Sequence, residues 1–336
     1  MTIRVAITGL GLEAPVLAHT TGIESLLDRS AEYGWDFDPS RKLGKKGLRY
    51  KEVATLMSLC AARGALEDSG HLAAGADGKL NDERFGVAIG SNSSNLDTIC
   101  QVAERIRSEH VDATSPMDLP NASSNVVAST LAIRHGLRAL NLMLTSGANA
   151  SFDALALAAN AITAGRVERM LVGAVEVDSL ALNSLQAGRR LDPEQASPVP
   201  AVMPVASAVV LENAELAARR GVRIYGYLDD YAMNGASTQA AQRFARFVMG
   251  RHHELYCLDA AQLGATLRGF SVADLGADAN IVDLSARTGQ WYGGLALAQL
   301  MLACERFATG RAANAMLVSG ATLGDRRLSA LALSKA

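Results

Sequence analysis

Cysteine is scarce in this chain: Cys60, Cys100, Cys257 and Cys304 are the only four among 336 residues. None belongs to a Cys-x-x-Cys pair, and so thin a supply over a long chain excludes a disulfide scaffold. Buried thiols in a reducing, cytoplasmic setting are the expectation. Histidine numbers six. The pair His252–His253 is expected in an exposed loop before a strand, where neighbours on extended chain point to opposite faces and cannot share a metal. No His-Glu-x-x-His helix and no Gly-x-x-x-x-Gly-Lys phosphate loop occurs, so neither a metal nor a cofactor is expected. No apolar run approaches the roughly 20 residues that span a bilayer, and the opening MTIRVAITGLG lacks the basic region of a signal peptide. Neither sign of charge dominates: 32 Lys and Arg against 34 Asp and Glu give a net −2. That balance argues against a nucleic-acid partner.

Hydrophobic residues, by contrast, make up 49% of the chain, and glycine contributes 30 residues. Small-residue richness of this kind suits close packing of helices on a sheet. Length alone predicts two domains, or two halves of one unit. Short apolar runs alternate with helical Ala/Leu stretches such as Phe152–Ala164 and Leu295–Phe307. The runs read as strands are Arg4–Thr8, Phe85–Ile89, Asn141–Leu144, Arg169–Val172, Ala206–Glu212, Arg223–Tyr231, Leu255–Leu258, Asn280–Leu284 and Asn314–Val318. Strands apolar on both faces, interleaved with helices, predict an α/β fold whose sheets are covered on both sides.

The segment LTSGANASFDALALAANAITAGRVERMLVGA has an echo in LSARTGQWYGGLALAQLMLACERFATGRAANAMLVSGA. Each carries a strand end, a small-residue turn, LALA, a helix, a Gly-Arg pair and MLV. That order agrees with duplication, and it predicts an N-terminal half over residues 1–200 and a C-terminal half over 201–336 in one compact unit. Between them, RRLDPEQASPVPAVMP (Arg189 to Pro204) holds half of the eight prolines and reads as an irregular connection. The basic stretch SRKLGKKGLRYK (Ser40 to Lys51) is a surface loop, either a solvated face or a docking site for an acidic carrier protein.

Two motifs bear on chemistry. TGLGLEA (Thr8 to Ala14) has the form of a dinucleotide fingerprint, but Pro15 follows at once and no clean βαβ unit surrounds it. Gly9 and Gly11 are expected instead to turn the first strand at its end. LTSGANAS (Leu144 to Ser151) has the layout of a strand turning sharply into a helix, where enzymes hold a nucleophile near the positive helix end. The centre of this turn is Gly147, which has no side chain to react. Ser146 is the alternative nucleophile, but a hydroxyl needs a base and no motif delivers one. Ser146 and Ser151 are otherwise expected to cap or line the helix start.

At this turn the chain resembles the β-ketoacyl-ACP synthases, the condensing enzymes of fatty acid and polyketide synthesis. RVAITGLGLEAP resembles the family's RVVITGxGxxSP, and GVAIGSNSSNLD its GxxxGTGxGG. PNASSNVVASTLAIRHGLRALNLMLTSGANAS resembles the stretch ending TACASG. VVLENAELAARRGVRIYGYLDDYAMNG resembles VLExxExAxxRGAxIYAExxGYGxxxD, and DLSARTGQWYGGLALAQLMLA resembles SxKSxxGHxxGAAGAxxxxxxxLA. The resemblance implies a thiolase-like five-layer α/β/α/β/α architecture of two duplicated halves, and a two-fold dimer joined along the strand Asn141, Leu142, Met143, Leu144. It also implies a Cys nucleophile and two histidines. Their positions fall on Gly147, Ala261 and Gln290, and the family lysine falls on Ser285, with Arg287 nearby. Gln290 can donate a hydrogen bond but cannot shuttle a proton. The glycine-rich GFxxGEGA segment is replaced by PVPAVMPVASA, and NSFGFGGTN by SGATLGDRR, Ser319 to Arg327.

The expected role is therefore that of a non-catalytic subunit similar to a chain-length factor, dimerising with an active ketosynthase or with itself, with acyl carrier protein as a further partner. The alternatives are an acyl hydrolase or transferase acting through Ser146, and a homodimeric acyl-binding protein.

Overall fold

The computed structural model describes residues 3–14, 22–27, 37–76, 78–189, 204–234, 237–258, 275, 280–288, 291–320 and 327–336. Ten strands make one mixed sheet: β1 Val5–Glu13, β2 Phe85–Gly90, β3 Asn141–Leu144, β4 Arg169–Glu176, β5 Val205–Asn213, β6 Gly226–Met233, β7 Leu255–Leu258, β8 Ile281–Asp283, β9 Asn314–Gly320 and β10 Leu328–Lys335. The helices are α1 Glu24–Leu27, α2 Ser40–Leu43, α3 Val53–Asp68, α4 Leu96–Glu109, α5 Val126–His135, α6 Ala150–Thr163, α7 Leu180–Arg189, α8 Ala214–Arg220, α9 Thr238–Met249, α10 Leu284–Thr288 and α11 Leu295–Ala308.

The sheet order is β3-β2-β4-β5-β1-β6-β10-β9-β7-β8. Read inward from each edge, the two sets of five run in the same order, each strand label in the second set being its counterpart plus five. Pairing type repeats as well: β2 is parallel to β3 and β4, and β7 to β8 and β9. The pairs β4–β5, β5–β1, β9–β10 and β10–β6 are antiparallel. The sets meet where Val5, Ala6 and Ile7 pair antiparallel with Leu228, Tyr227 and Gly226. The echo between the two elbow segments thus maps β3–α6–β4 onto β8–α11–β9. Because β5 lies between β4 and β1, a division at residue 200/201 would separate it from both neighbours.

Three buried clusters define the layers. Apolar residues of α3 and α5 cover one face of β2, β4 and β5. The Ala/Leu-rich α6 and α11 lie together at the centre, packed against strands of both sets. Phe244 and Val248 of α9 cover the outer face of β7, β9 and β10. The result is the α/β/α/β/α stack. Small residues make the central layer thin enough to bury α11 almost entirely.

Two local expectations change. β1 does not turn at its glycines but runs on to Glu13 through a bulge between Ile7 and Gly9. The glycines admit α3 instead: a Cβ on Gly9 would stand 2.2 Å from the Ala65 carbonyl oxygen, and one on Gly11 2.0 Å from that of Ala61. His252 is exposed but His253 is buried, its ring edge-on to Tyr256, so the pair does not share one exposed loop surface. Among the described residues, no helix is long and apolar enough to cross a membrane, and no cluster of three His, Cys, Asp or Glu could hold a metal ion.

Candidate functional site

Since β2, β3 and β4 are mutually parallel, their C-terminal ends open on one edge of the sheet, where the connecting loops form a crevice. Three loops meet there: residues 91–95 after β2, 145–149 after β3, and the end of β4 at Glu176. The second set of strands reaches the same place. Its Tyr292–Gly294 turn packs against the elbow and β4, and the end of β9 packs against the elbow. A Cβ on Gly293 would stand 2.5 Å from Asn92 Nδ2 and 2.6 Å from Glu176 Oε1, so only glycine leaves room for those side chains.

Gly147 opens the turn between β3 and α6 with φ +66°, the left-handed region that glycine enters without a Cβ clash. Its backbone is clamped on both sides by one carboxamide. The Gly147 N–H donates to Asn92 Oδ1 at 2.9 Å, and Asn92 Nδ2 donates to the Gly147 carbonyl at 3.0 Å. The same Nδ2 donates to Glu176 Oε1 at 2.8 Å, and the Asn92 N–H reaches that oxygen at 3.0 Å. Ser93 supplies the other carboxylate oxygen, from its N–H at 3.1 Å and its hydroxyl at 2.6 Å. Glu176 is wholly buried. Burial pushes its carboxyl above the ordinary carboxylate range, against the four donors from Asn92 and Ser93 that pull it down.

Ser146 does not cap the backbone of the turn. Its hydroxyl donates to Asp153 in the first turns of α6, and Arg327 holds the same carboxylate oxygen at 2.6 Å. Arg327 is fixed in turn, its carbonyl accepting from Asn149 Nδ2 at 2.9 Å. Ser151 lines the helix start, fully buried, its hydroxyl without a hydrogen-bond partner among the described residues. The cysteines lie elsewhere. Burial pushes the thiols of Cys60 and Cys257 up to about 12 and raises that of Cys304 as well, so none of these three supplies a thiolate near neutral pH.

Ala261 and Gln290 lie outside the described residues. Ser285 and Arg287 lie on the short helix α10. The strand Asn141, Leu142, Met143, Leu144 is the edge strand of the first set, paired on one side only, with Asn141 exposed and the next three half-buried. Beside it runs an open groove of about 430 Å³, whose wall includes Met143, Leu144, Asp153, Leu157, Met233 and Arg327. In the basic stretch, Lys42 pairs with Glu13 at 2.6 Å and Arg41 with Asp38 at 3.7 Å. Lys45, Lys46 and Arg49 are exposed beside them.

Sequence reasoning missed Asn92 and Glu176. The signal was present in SNSSN, where the resembled pattern GTGxGG would place glycines at Asn92, Ser94 and Asn95.

A family profile, the N-terminal domain of β-ketoacyl synthase, matches residues 30–211, which is more than half of the chain. The chain is 28% identical over 265 residues to a 3-oxoacyl-[acyl-carrier-protein] synthase 2 of Vibrio harveyi, covering 69% of this chain but 63% of that protein. It is 27% identical over 271 residues to a putative granaticin polyketide β-ketoacyl synthase 1 of Streptomyces violaceoruber, covering 69% and 63%. The matches thus span less than two thirds of these relatives' length. Among solved structures, the ishigamide ketosynthase/chain length factor superposes with a TM-score of 0.76 at 16% identity, covering 100% of both chains. A β-ketoacyl synthase from Burkholderia phymatum gives 0.76 at 17%, covering 99% of this chain and 100% of that one. With layers, strand order and elbow all in this arrangement, the chain belongs to the β-ketoacyl synthase family.

Proposed function

We propose that this chain is a non-catalytic ketosynthase-like subunit, similar in role to a chain-length factor, which pairs along β3 with an active β-ketoacyl synthase and shapes its acyl tunnel. The observation that carries this reading is Gly147. The turn is built and clamped as an elbow, yet the residue at its centre has no side chain. Losing a covalent nucleophile costs about a millionfold in rate, and no described cysteine stands in its place. The two histidine positions, Ala261 and Gln290, hold residues that cannot shuttle a proton.

The surfaces support the partnership. β3 offers an unpaired edge with Leu142, Met143 and Leu144, and an unpaired edge is a template for another strand. The groove beside it carries the exposed side chains of Leu157 and Met233, apolar surface that an acyl chain or a partner would cover. Lys45, Lys46 and Arg49 give an acidic carrier protein a basic face. The Ser146 reading is weaker: its hydroxyl donates to a carboxylate that Arg327 already neutralises, an arrangement that fixes the turn. Co-expression with an active β-ketoacyl synthase of the same organism tests the proposal. A stable one-to-one complex is expected, and a lone homodimer with no effect on that synthase would refute it.

A further inference from the structure

Asn92 does more than brace the turn. When a nucleophile adds to a thioester, the carbonyl oxygen becomes an oxyanion, and an elbow stabilises it with backbone N–H groups pointed at that oxygen. The Gly147 N–H stands at the entry to α6, where the helix end adds positive potential. We propose that the Asn92 side chain is a built-in occupant of this oxyanion position, so that the elbow is closed to acyl chemistry independently of its missing nucleophile. The inference rests on the reading of Gly147 as the nucleophile position.

The geometry fixes the carboxamide in one orientation. Oδ1 faces the Gly147 N–H at 2.9 Å, while Nδ2 faces the Gly147 carbonyl at 3.0 Å and Glu176 Oε1 at 2.8 Å. Flipped, it would set an NH2 against an N–H and an oxygen against a carbonyl and a carboxylate. The amide oxygen therefore sits where a substrate oxygen would accept its hydrogen bond. Glu176 locks Asn92 from behind, itself held by Ser93, whose hydroxyl also accepts from the Val177 N–H at 3.1 Å. Gly293 supplies the space. In the family pattern resembled here, the position of Asn92 is a glycine, which has no side chain to place there. A serine–asparagine segment thus stands where the pattern leaves an open loop.

Restoring acylation at the elbow then needs two changes, not one. Gly147→Cys and the double variant Asn92→Gly/Gly147→Cys are treated with octanoyl-N-acetylcysteamine. The introduced thiolate adds to the thioester carbonyl, the oxyanion collapses, and N-acetylcysteamine leaves as its thiolate. The double variant is expected to acylate about a hundredfold faster, the usual worth of one oxyanion donor. Alkylation by iodoacetamide, which forms no oxyanion, should differ only a few-fold. Equal acylation rates in the two variants, at whatever level, overturn the proposal. Because a cysteine at φ +66° strains the turn, Asn92→Gly alone supplies a second readout: amide hydrogen exchange at Gly147 is expected to accelerate at least tenfold over the wild-type chain. Unchanged exchange also overturns the proposal. Neither arm involves a partner synthase, so failure here leaves the subunit reading standing, and failure to bind a synthase leaves this one.

Discussion

Glu52 shows how a single carboxyl at the edge of the site should make the protein respond to pH. It stands just before α3, accepts from the Thr98 hydroxyl, and lines a cleft of about 590 Å³ with Asp97 and Asp178. Burial, helped by the charge of Asp97, pushes its pKa up to about 7. The folded state therefore holds this proton more tightly than the unfolded chain does. Its contribution is most favourable below the ordinary carboxylate value and declines as pH rises toward 7, with the full penalty above that. Glu52→Gln keeps an acceptor for Thr98 and removes the charge. It should raise Tm by about 2 °C or more at pH 8 and leave it unchanged at pH 4. Thermal melts of the two proteins across that range check it. Neither this pairing nor the contact of Asn92 with Glu176 is legible in the sequence, although the departure of SNSSN from the resembled glycine pattern is. Asn92 and Glu176 are 84 residues apart, and the partners Thr98 and Glu52 are 46 apart. Such contacts leave no periodic trace, whereas the absence of a side chain at Gly147 is visible at once.

Elements with strong local patterns were read well. The runs Asn141–Leu144 and Leu255–Leu258 are the strands β3 and β7 to the residue. The strand β10, LSALALSK, is not legible: it lies inside the sheet, so Ser329 is buried along with the leucines and the usual cue is lost. The glycines of TGLGLEA suggest a turn, but what they permit is an approach of helix to strand across 50 or more residues of chain, which local pattern does not encode. Gly11→Ala should accordingly cost about 3 kcal/mol, because its Cβ meets backbone and not a movable side chain; urea unfolding measures it. The edge strand gives a complementary case. Met143→Glu puts a charge on the edge strand β3, half-buried as it stands. It should abolish association with a partner synthase while lowering the chain's own Tm by only a few degrees. Gel filtration of the mixed proteins, with a melt of the variant alone, separates the two effects. Loss of folding instead would show that β3 is needed by the chain itself.

At the scale of the whole molecule, the repeat of strand order and pairing across the β1–β6 seam argues for one ancestral unit used twice. We propose that the seam between the two repeats falls after β5, in the stretch that holds α8. The two repeats converge their strand ends on one elbow, which explains why residues from positions 92, 147, 176 and 293 meet there. On the function proposed above, that convergence keeps the geometry of a condensing site around a glycine. We propose that this geometry serves a partner. The most direct test is a condensation assay with malonyl- and acyl-carrier protein, run with the chain alone, an active β-ketoacyl synthase of the same organism alone, and the two together. No product is expected from the chain alone, with a rise in product or a change in its length when the two are combined. Condensation by the chain alone, or a synthase indifferent to its presence, would rule out that role.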